Sequence, residues 1–322
     1  MLRLEREQQV CRIGGVAVGG QPGENPPVLI GSLFHKGDRL LHRRLEHDFD
    51  RAGARDLLKR QEELSRQTGI PSMVDIVGNT GDELKAYIDF VAGATTVPFC
   101  LDAWKLQPRL EAARYAAGLG LLDRVIYNSV SPWSEDIERE AAGLAEIGVK
   151  HVVLVAFDPE DQMPAGRLGC LERLLKALEG VPLESILVDT SVMNLPATAF
   201  CSLANRMVKE RYGLPAGSAP ANGTYMWKEA RQTWGGAGFA GVDTAVHAVA
   251  SVLWHDFLFY GPLVAAGRMF PAVAAAAAVQ STLIYGEGGP LPSSPEHPLN
   301  RLFADFAGQL SARSQSQTVP GG

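Results

Sequence analysis

SMVDIVGNTGDELKAYIDFVAG, residues 72–93, decides the fold. Its first six residues are apolar apart from Ser72 and Asp75, the pattern of a strand buried on both faces in a parallel sheet. Thr80, followed by Asp82 and Glu83, reads as a helix N-cap with an acidic first turn, and the apolar residues beyond it recur at helical spacing. The same junction returns along the chain as PFCLDAW (98–104) with Asp102, RVIYNSVS (124–131) with Asn128, VVLVAFDP (152–159) with Asp158 and SILVDTSV (185–192) with Asp189. Each run precedes an amphipathic helix. Acidic and amide residues at the C-terminal ends of parallel strands point into one shared mouth, which in a (β/α)8 barrel is where chemistry sits.

Outward from this unit the period continues. PPVLIGSLFH (26–35) is the first barrel strand, with FDRAGARDLLKRQEELSRQTG (49–69) as its helix and Gly69 as its stop. LPAGSAPAN (214–222) is a weak seventh strand, and FLFYGP (257–262) follows the helix DTAVHAVASVLWH (243–255) as the eighth. Strands alternating with helices favour a parallel sheet, and about eight units predict an α/β (β/α)8 TIM barrel with an N-terminal β-hairpin. A doubly wound open sheet is the alternative, since the seventh strand is poor in β-branched residues. QQVCRIGGVAVGG (8–20) reads as the hairpin, closing the barrel bottom within residues 1–26. The barrel is assigned 27–288, and 289–322 is a Pro/Gly/Ser-rich extension with one short amphipathic helix at NRLFADFAGQL and a disordered end.

Composition narrows the function. The 322 residues are 46% hydrophobic and 20% charged, with a formal charge of -6, which argues against a nucleic-acid surface. Cys11, Cys100, Cys170 and Cys201 form no CxxC pair and read as buried thiols of a reducing, cytoplasmic compartment. The charged N-terminus carries no signal-peptide pattern, and the apolar tract FPAVAAAAAVQ (270–280) is too short to insert into a membrane, so it reads as a helix packed on the barrel. The seven histidines show neither HxH nor HExxH, against a metal-dependent hydrolase.

Asp75, Asp102, Asn128, Asp189 and Asn222 supply acceptors and amides with no cation in the set. Such a ring suits a neutral heterocycle with an amino group and ring N–H donors, because a carboxylate accepts two parallel hydrogen bonds from an amidine-like edge. A pterin has that edge. The competing reading for each carboxylate is an N-cap or a solvated loop charge, strongest for Asp158 before Pro159. Trp104, Trp133 and Trp227 follow strand ends and read either as a rim for a ligand or docking protein or as cover for the barrel. Arg167, Lys105 and Lys228 read as surface charges or as cations steering an anionic tail.

IGGVAVGGQPGENPPVLIGSLF (13–34), with VDIVG, YIDFVA, PFCLDAW, IYNSVS, LVDTSV and FLFYGP, resembles the family of the H subunit of tetrahydromethanopterin S-methyltransferase, which includes bacterial methylcorrinoid:tetrahydrofolate methyltransferases. The resemblance implies a pterin-binding barrel that moves a methyl group between a corrinoid cobalt on a separate carrier protein and N5 of tetrahydrofolate. It implies cobalamin supplied by that partner, since no DxHxxG corrinoid-ligand motif is present, and a homodimer. By position it carries the pterin-ring contacts onto Asp75, Asp102, Asn128, Asp189 and Asn222, with Ser218 and Asn194 as alternatives to Asn222. Asn222 would bond N5, and Asp75 or a water chain would relay its proton. A condensing enzyme resembling dihydropteroate synthase, which needs a Lys on the seventh strand, and a non-catalytic protein that docks a corrinoid carrier within a larger assembly are the alternative functions.

Overall fold

The computed structural model describes residues 2–43 and 47–318. Eight parallel strands close into a barrel: β3 (Val28–Leu33), β6 (Ser72–Val77), β7 (Phe99–Asp102), β8 (Val125–Val130), β9 (His151–Val155), β10 (Ser185–Asp189), β11 (Ala216–Ser218) and β12 (Phe257–Pro262), which pairs back onto β3. The open-sheet alternative is thereby excluded. Helices α1 (Arg51–Thr68), α2 (Gly81–Ala94), α3 (Leu106–Gly118), α4 (Ile137–Ile147), α5 (Pro164–Ala177) and α6 (Thr198–Tyr212) follow successive strands. Thr80 caps α2 by accepting from Glu83 N–H, and Gly69, at φ 76°, ends α1.

Side chains alternate across each strand, so one set faces the helices and the other the barrel axis. Val74, Ile76, Leu101, Tyr127, Val152 and Leu154 pack outward into the helix layer. Ile30, Met73, Cys100, Ile126, Val153, Leu187 and Phe257 fill the interior with Cys11, Ile13 and Val18 of the N-terminal hairpin, β1 (Val10–Ile13) and β2 (Val16–Gly19). The hairpin lies at the N-terminal ends of the strands, where Gly14 N–H donates to Asp123 O. Lys209 Nζ beside it bonds both oxygens of Asp256 at 2.8 and 2.6 Å and Gly20 O at 3.0 Å.

The seventh strand is short for a steric reason. A Cβ at Gly217 would lie 2.3 Å from Phe257 O, so the close approach of β11 to β12 excludes the branched residues that usually mark a strand. Pro220 then opens a helix, α7 (Pro220–Met226), where the sequence reading continued the strand to Asn222. Helix α8 (Lys228–Val252) starts well before the expected residue 243 and breaks at Gly235, φ 64°. A small hairpin, β4 (Leu41–Arg43) with β5 (Asp48–Phe49), interrupts the passage from β3 to α1.

The Ala-rich tract belongs to α9 (Ala266–Gly286), which packs against α8 and α1. With the preceding 3-10 turn the helical stretch runs from Leu263 to Gly286, long and apolar enough to cross a membrane, which corrects its expected length; 61% of its most apolar window is buried within the protein. The extension holds two helices rather than one, α10 (Pro298–Leu302) and α11 (Ala304–Thr318). The end expected to be disordered is helical to Thr318, and residues 319–322 lie outside the described ones.

Candidate functional site

Continuing the period of two beyond the interior layer brings Ser32, Asp75, Asp102, Asn128, Val155, Asp189, Ala219 and Phe259 to the C-terminal mouth, where they line a cavity of about 410 Å³. All five residues singled out from sequence line it: Asp75, Asp102, Asn128 and Asp189 on strands, and Asn222 one helical turn beyond Ala219. Asp158 stays outside, accepting from Glu160 N–H at 3.0 Å and pairing with Arg173 at 2.8 Å, a loop charge as its competing reading held.

The strand-end carboxylates sit in a poorly solvated space. Asp75 accepts from Asn128 Nδ2 at 3.1 Å. Burial and then the charge of Asp102 hold its carboxyl well above the ordinary range, against the Asn128 bond. Burial pushes Asp102 up to about 6 despite the attraction of Arg109. Asp189 is likewise raised by burial to about 6, opposed by the Ser191 N–H, which donates to it at 2.7 Å, and by the charge of Arg167. Three carboxyls needing partners at one mouth form an acceptor surface for a ligand edge rich in N–H groups.

Asn222 has no side-chain partner among the described residues and is exposed toward the mouth. Its two alternatives are engaged elsewhere. Ser218 is fully buried and hydrogen-bonds His255 Nε2 at 2.8 Å on the helix side of β11. Asn194 accepts from Ala197 N–H at 3.0 Å and lines a separate groove.

Sequence reasoning missed a cation. Arg109, only 4% exposed, lines the cavity; it donates to Ala103 O at 2.5 Å and to Glu140 Oε1 at 2.5 Å. Glu140, wholly buried, also accepts from Tyr127 Oη at 2.6 Å and Ser134 Oγ at 2.5 Å. One carboxylate thus ties strand β8 to the two loops bearing Trp104 and Trp133, whose rings lie 6.2 Å apart in a stack at the rim. The signal was a charge inside an apolar stripe: Leu106, Arg109, Leu110 and Ala113 share the buried face of α3, as Glu140, Ala141 and Leu144 share that of α4.

Arg167 corrects another expectation. It is 1% exposed, neither a surface charge nor a steering cation, and donates to Thr190 O at 2.7 Å and to Gln162 O. Among the described residues no group of three His, Cys, Asp or Glu side chains is arranged to hold a metal, and the four cysteines are buried free thiols.

Residues 6–285 match the sequence profile of the family described as Tetrahydromethanopterin S-methyltransferase MtrH subunit. The H subunit of tetrahydromethanopterin S-methyltransferase from Methanopyrus kandleri is 31% identical over 318 residues, covering 92% of this chain and 97% of that protein. Its counterpart from Methanothermobacter thermautotrophicus, of the same name, is 32% identical over 292 residues, covering 86% and 92%. In fold the chain is similar to Xanthomonas albilineans dihydropteroate synthase with 4-aminobenzoic acid, at a TM-score of 0.60 and 16% identity over 84% of this chain and 98% of that one. Coxiella burnetii dihydropteroate synthase in complex with pteroic acid gives 0.58 and 14% over 85% and 99%. At such identity these two establish the barrel alone, whereas the profile match and the two methyltransferase relatives fix the family: the chain belongs to the tetrahydromethanopterin S-methyltransferase MtrH subunit family.

Proposed function

We propose that this protein is a methyltransferase that binds a reduced pterin in the barrel mouth and moves a methyl group to its N5 from a methylated corrinoid carried by a separate protein. The observation that carries the reading is the acceptor-lined cavity, with Asp75, Asp102 and Asp189 converging on one space beside Asn128 and Asn222. A pterin offers that space its 2-amino group and ring N–H donors. The relatives are named for tetrahydromethanopterin. Our acceptor is tetrahydrofolate, which shares the ring and differs in the tail and ring methyl groups.

The corrinoid supplies an activated methyl group; the protein supplies position. Holding acceptor nitrogen, carbon and donor in line is worth up to roughly 7–11 kcal/mol in well-oriented systems. Asp102 and Asp189 hold the pterin edge. Asn222 bonds N5, because an amide donates or accepts as the nitrogen changes charge without titrating itself. Asp75 takes the N5 proton once it is ionised, because burial and the neighbouring Asp102 charge raise its affinity for a proton. A condensing role is disfavoured because no Lys is among the described residues of the lining, and the guanidinium of Arg109 there is committed to Glu140 and Ala103.

The reading includes a corrinoid carrier protein as partner, a cytoplasmic location and a homodimer, the last checked by light scattering of the purified protein. Function is tested by anaerobic single-turnover transfer between methylcobalamin and tetrahydrofolate or tetrahydromethanopterin, followed by the cobalt spectrum. Asn222→Ala is expected to slow transfer with modest loss of pterin affinity, and Asp189→Ala to weaken binding first. Absence of binding to either pterin by calorimetry sinks the proposal. Binding without transfer from methylcobalamin or the methylated carrier leaves the non-catalytic docking alternative.

A further inference from the structure

Asn222 sits on a helix of only seven residues, too short to hold its own orientation. Its flanks are fixed from outside. A Cβ on Gly223 would lie 2.9 Å from Asn194 C and Leu195 N, so this turn is pressed against the loop after β10. Two residues past Asn222, Thr224, 1% exposed, donates its hydroxyl to Asp243 Oδ1 at 2.6 Å. Asp243 is itself wholly buried on α8, and its second oxygen accepts from Arg268 of α9. His247, one turn along, bonds Asp243 O at 2.7 Å. A buried carboxylate carrying an ion pair and a hydroxyl joins three helices behind the cavity wall, yet neither Asp243 nor Thr224 lines the cavity.

Apolar packing alone would stabilise this junction at lower desolvation cost, since a buried ion pair gains little net stability. What the pair does supply is direction. A charge-assisted hydrogen bond at 2.6 Å fixes the rotation of α7 about its axis, and that rotation decides whether the Asn222 amide faces the mouth. We propose that Asp243, acting through Thr224, is a positioning residue that sets the orientation of Asn222 toward the reacting nitrogen of the ligand. This rests on the reading of Asn222 given above.

The test is a double-mutant cycle on the full chain, using free methylcobalamin and tetrahydrofolate in single turnover. Thr224→Val removes the hydroxyl at constant shape and is expected to slow transfer about tenfold or more, since misplacement by 1 Å costs about a hundredfold. Thr224→Ser, which keeps the hydroxyl, is expected to restore most of the rate. In an Asn222→Ala background Thr224→Val is expected to change the rate by no more than about twofold, because the group it orients is gone. Asp243→Asn, which weakens the charge-assisted bond to Thr224 to a neutral one and loses the Arg268 ion pair, is the second probe should the valine variant fold poorly, with a smaller slowing and the same dependence on Asn222. Full-sized effects in the Asn222→Ala background, or no rescue by serine, assign Thr224 and Asp243 to stability alone and overturn the proposal. An Asn222→Ala protein as fast as the wild type, or a wild type that neither transfers nor binds tetrahydrofolate, removes the underlying reading and this one with it.

Discussion

A carboxylate raised by burial costs the protein stability when ionised, and Asp189→Asn measures that cost. Asp189 titrates near 6 in the folded protein against an ordinary 3.8, with burial outweighing the Ser191 bond and the Arg167 charge. A raised pKa means that the folded state holds the proton more tightly than the unfolded one. The stabilisation from the neutral form is complete below the unfolded value and lost as pH rises through the folded value. At about 1.36 kcal/mol per unit, ionisation costs the fold about 3 kcal/mol at pH ~7.5 and about 1.6 kcal/mol at pH ~5. Asparagine keeps an oxygen for the Ser191 N–H and carries no charge. Its stability gain over wild type in urea unfolding is therefore expected to be larger at the higher pH by about 1.4 kcal/mol. The other carboxyls titrate in both proteins and cancel, as does any pH-independent difference between Asn and neutral Asp. Pterin affinity should move the other way, falling by about 1.5–3 kcal/mol as a charged acceptor is lost. A stability difference that does not change with pH refutes the assignment of Asp189 as a desolvated carboxylate kept for a ligand.

Pterin binding by the wild type should weaken as pH falls through about 6, where Asp102 and Asp189 take up protons and each exchanges its charge and one acceptor oxygen for a hydroxyl; an affinity flat between about pH 5 and 8 by calorimetry rejects this. Arg109→Met should destabilise the fold by about 3–5 kcal/mol in urea, because Glu140 is left charged and buried. Adding Glu140→Gln should recover most of that, the amide oxygen still accepting from Tyr127; equal stability of single and double variants contradicts it. The single variant should also shift the acid limb of pterin binding upward, since Arg109 holds Asp102 down. Gly223→Ala should cut turnover with a smaller loss of pterin affinity, as the added methyl meets the backbone of Asn194 and Leu195; unchanged single-turnover rates count against α7 as the carrier of a reacting group.

The barrel was legible in the sequence because the residues that close it are the residues that make it apolar. Each strand is a run such as SMVDIV or SILVD, and the acidic residue of such a run could be placed at the mouth by counting in twos from the interior side chain before it, Met73 to Asp75, Cys100 to Asp102, Leu187 to Asp189. The seventh strand failed that test because its pattern is set by a close approach rather than by burial, so Gly217 replaced the branched residue and the strand ran on, in the reading, through a helix that Pro220 begins. The first half of α8 was hidden for a related reason: exposed residues and Gly235, Gly236 and Gly238 leave no apolar period to find.

The unread part of the site follows one rule. The loops at the mouth are held by charged side chains that reach back from the first turns of the next helix. Glu83 accepts from Asn79 N–H at 2.6 Å, Arg109 donates to Ala103 O, and Arg167 donates to Gln162 O and Thr190 O. Each occupies a core-facing position of its helix, where a charge is costly unless fully bonded, and backbone groups of a short loop are what lie within reach. The apolar period predicts a hydrophobic residue there, and a charge at that position reads as noise in the stripe. It is instead the mark of a loop whose backbone must be fixed from behind while its front remains open to a ligand. Asp243 does comparable work from the middle of α8 rather than a first turn, with a side-chain hydroxyl of α7 in place of a loop carbonyl. The mouth therefore divides by chemistry: strand-end carboxyls whose acceptor capacity is left open toward the cavity, and buried helix charges whose partners are all protein. Neutralising the two kinds should have opposite effects on stability, neutral strand ends raising it while lowering affinity, and neutral helix charges lowering both.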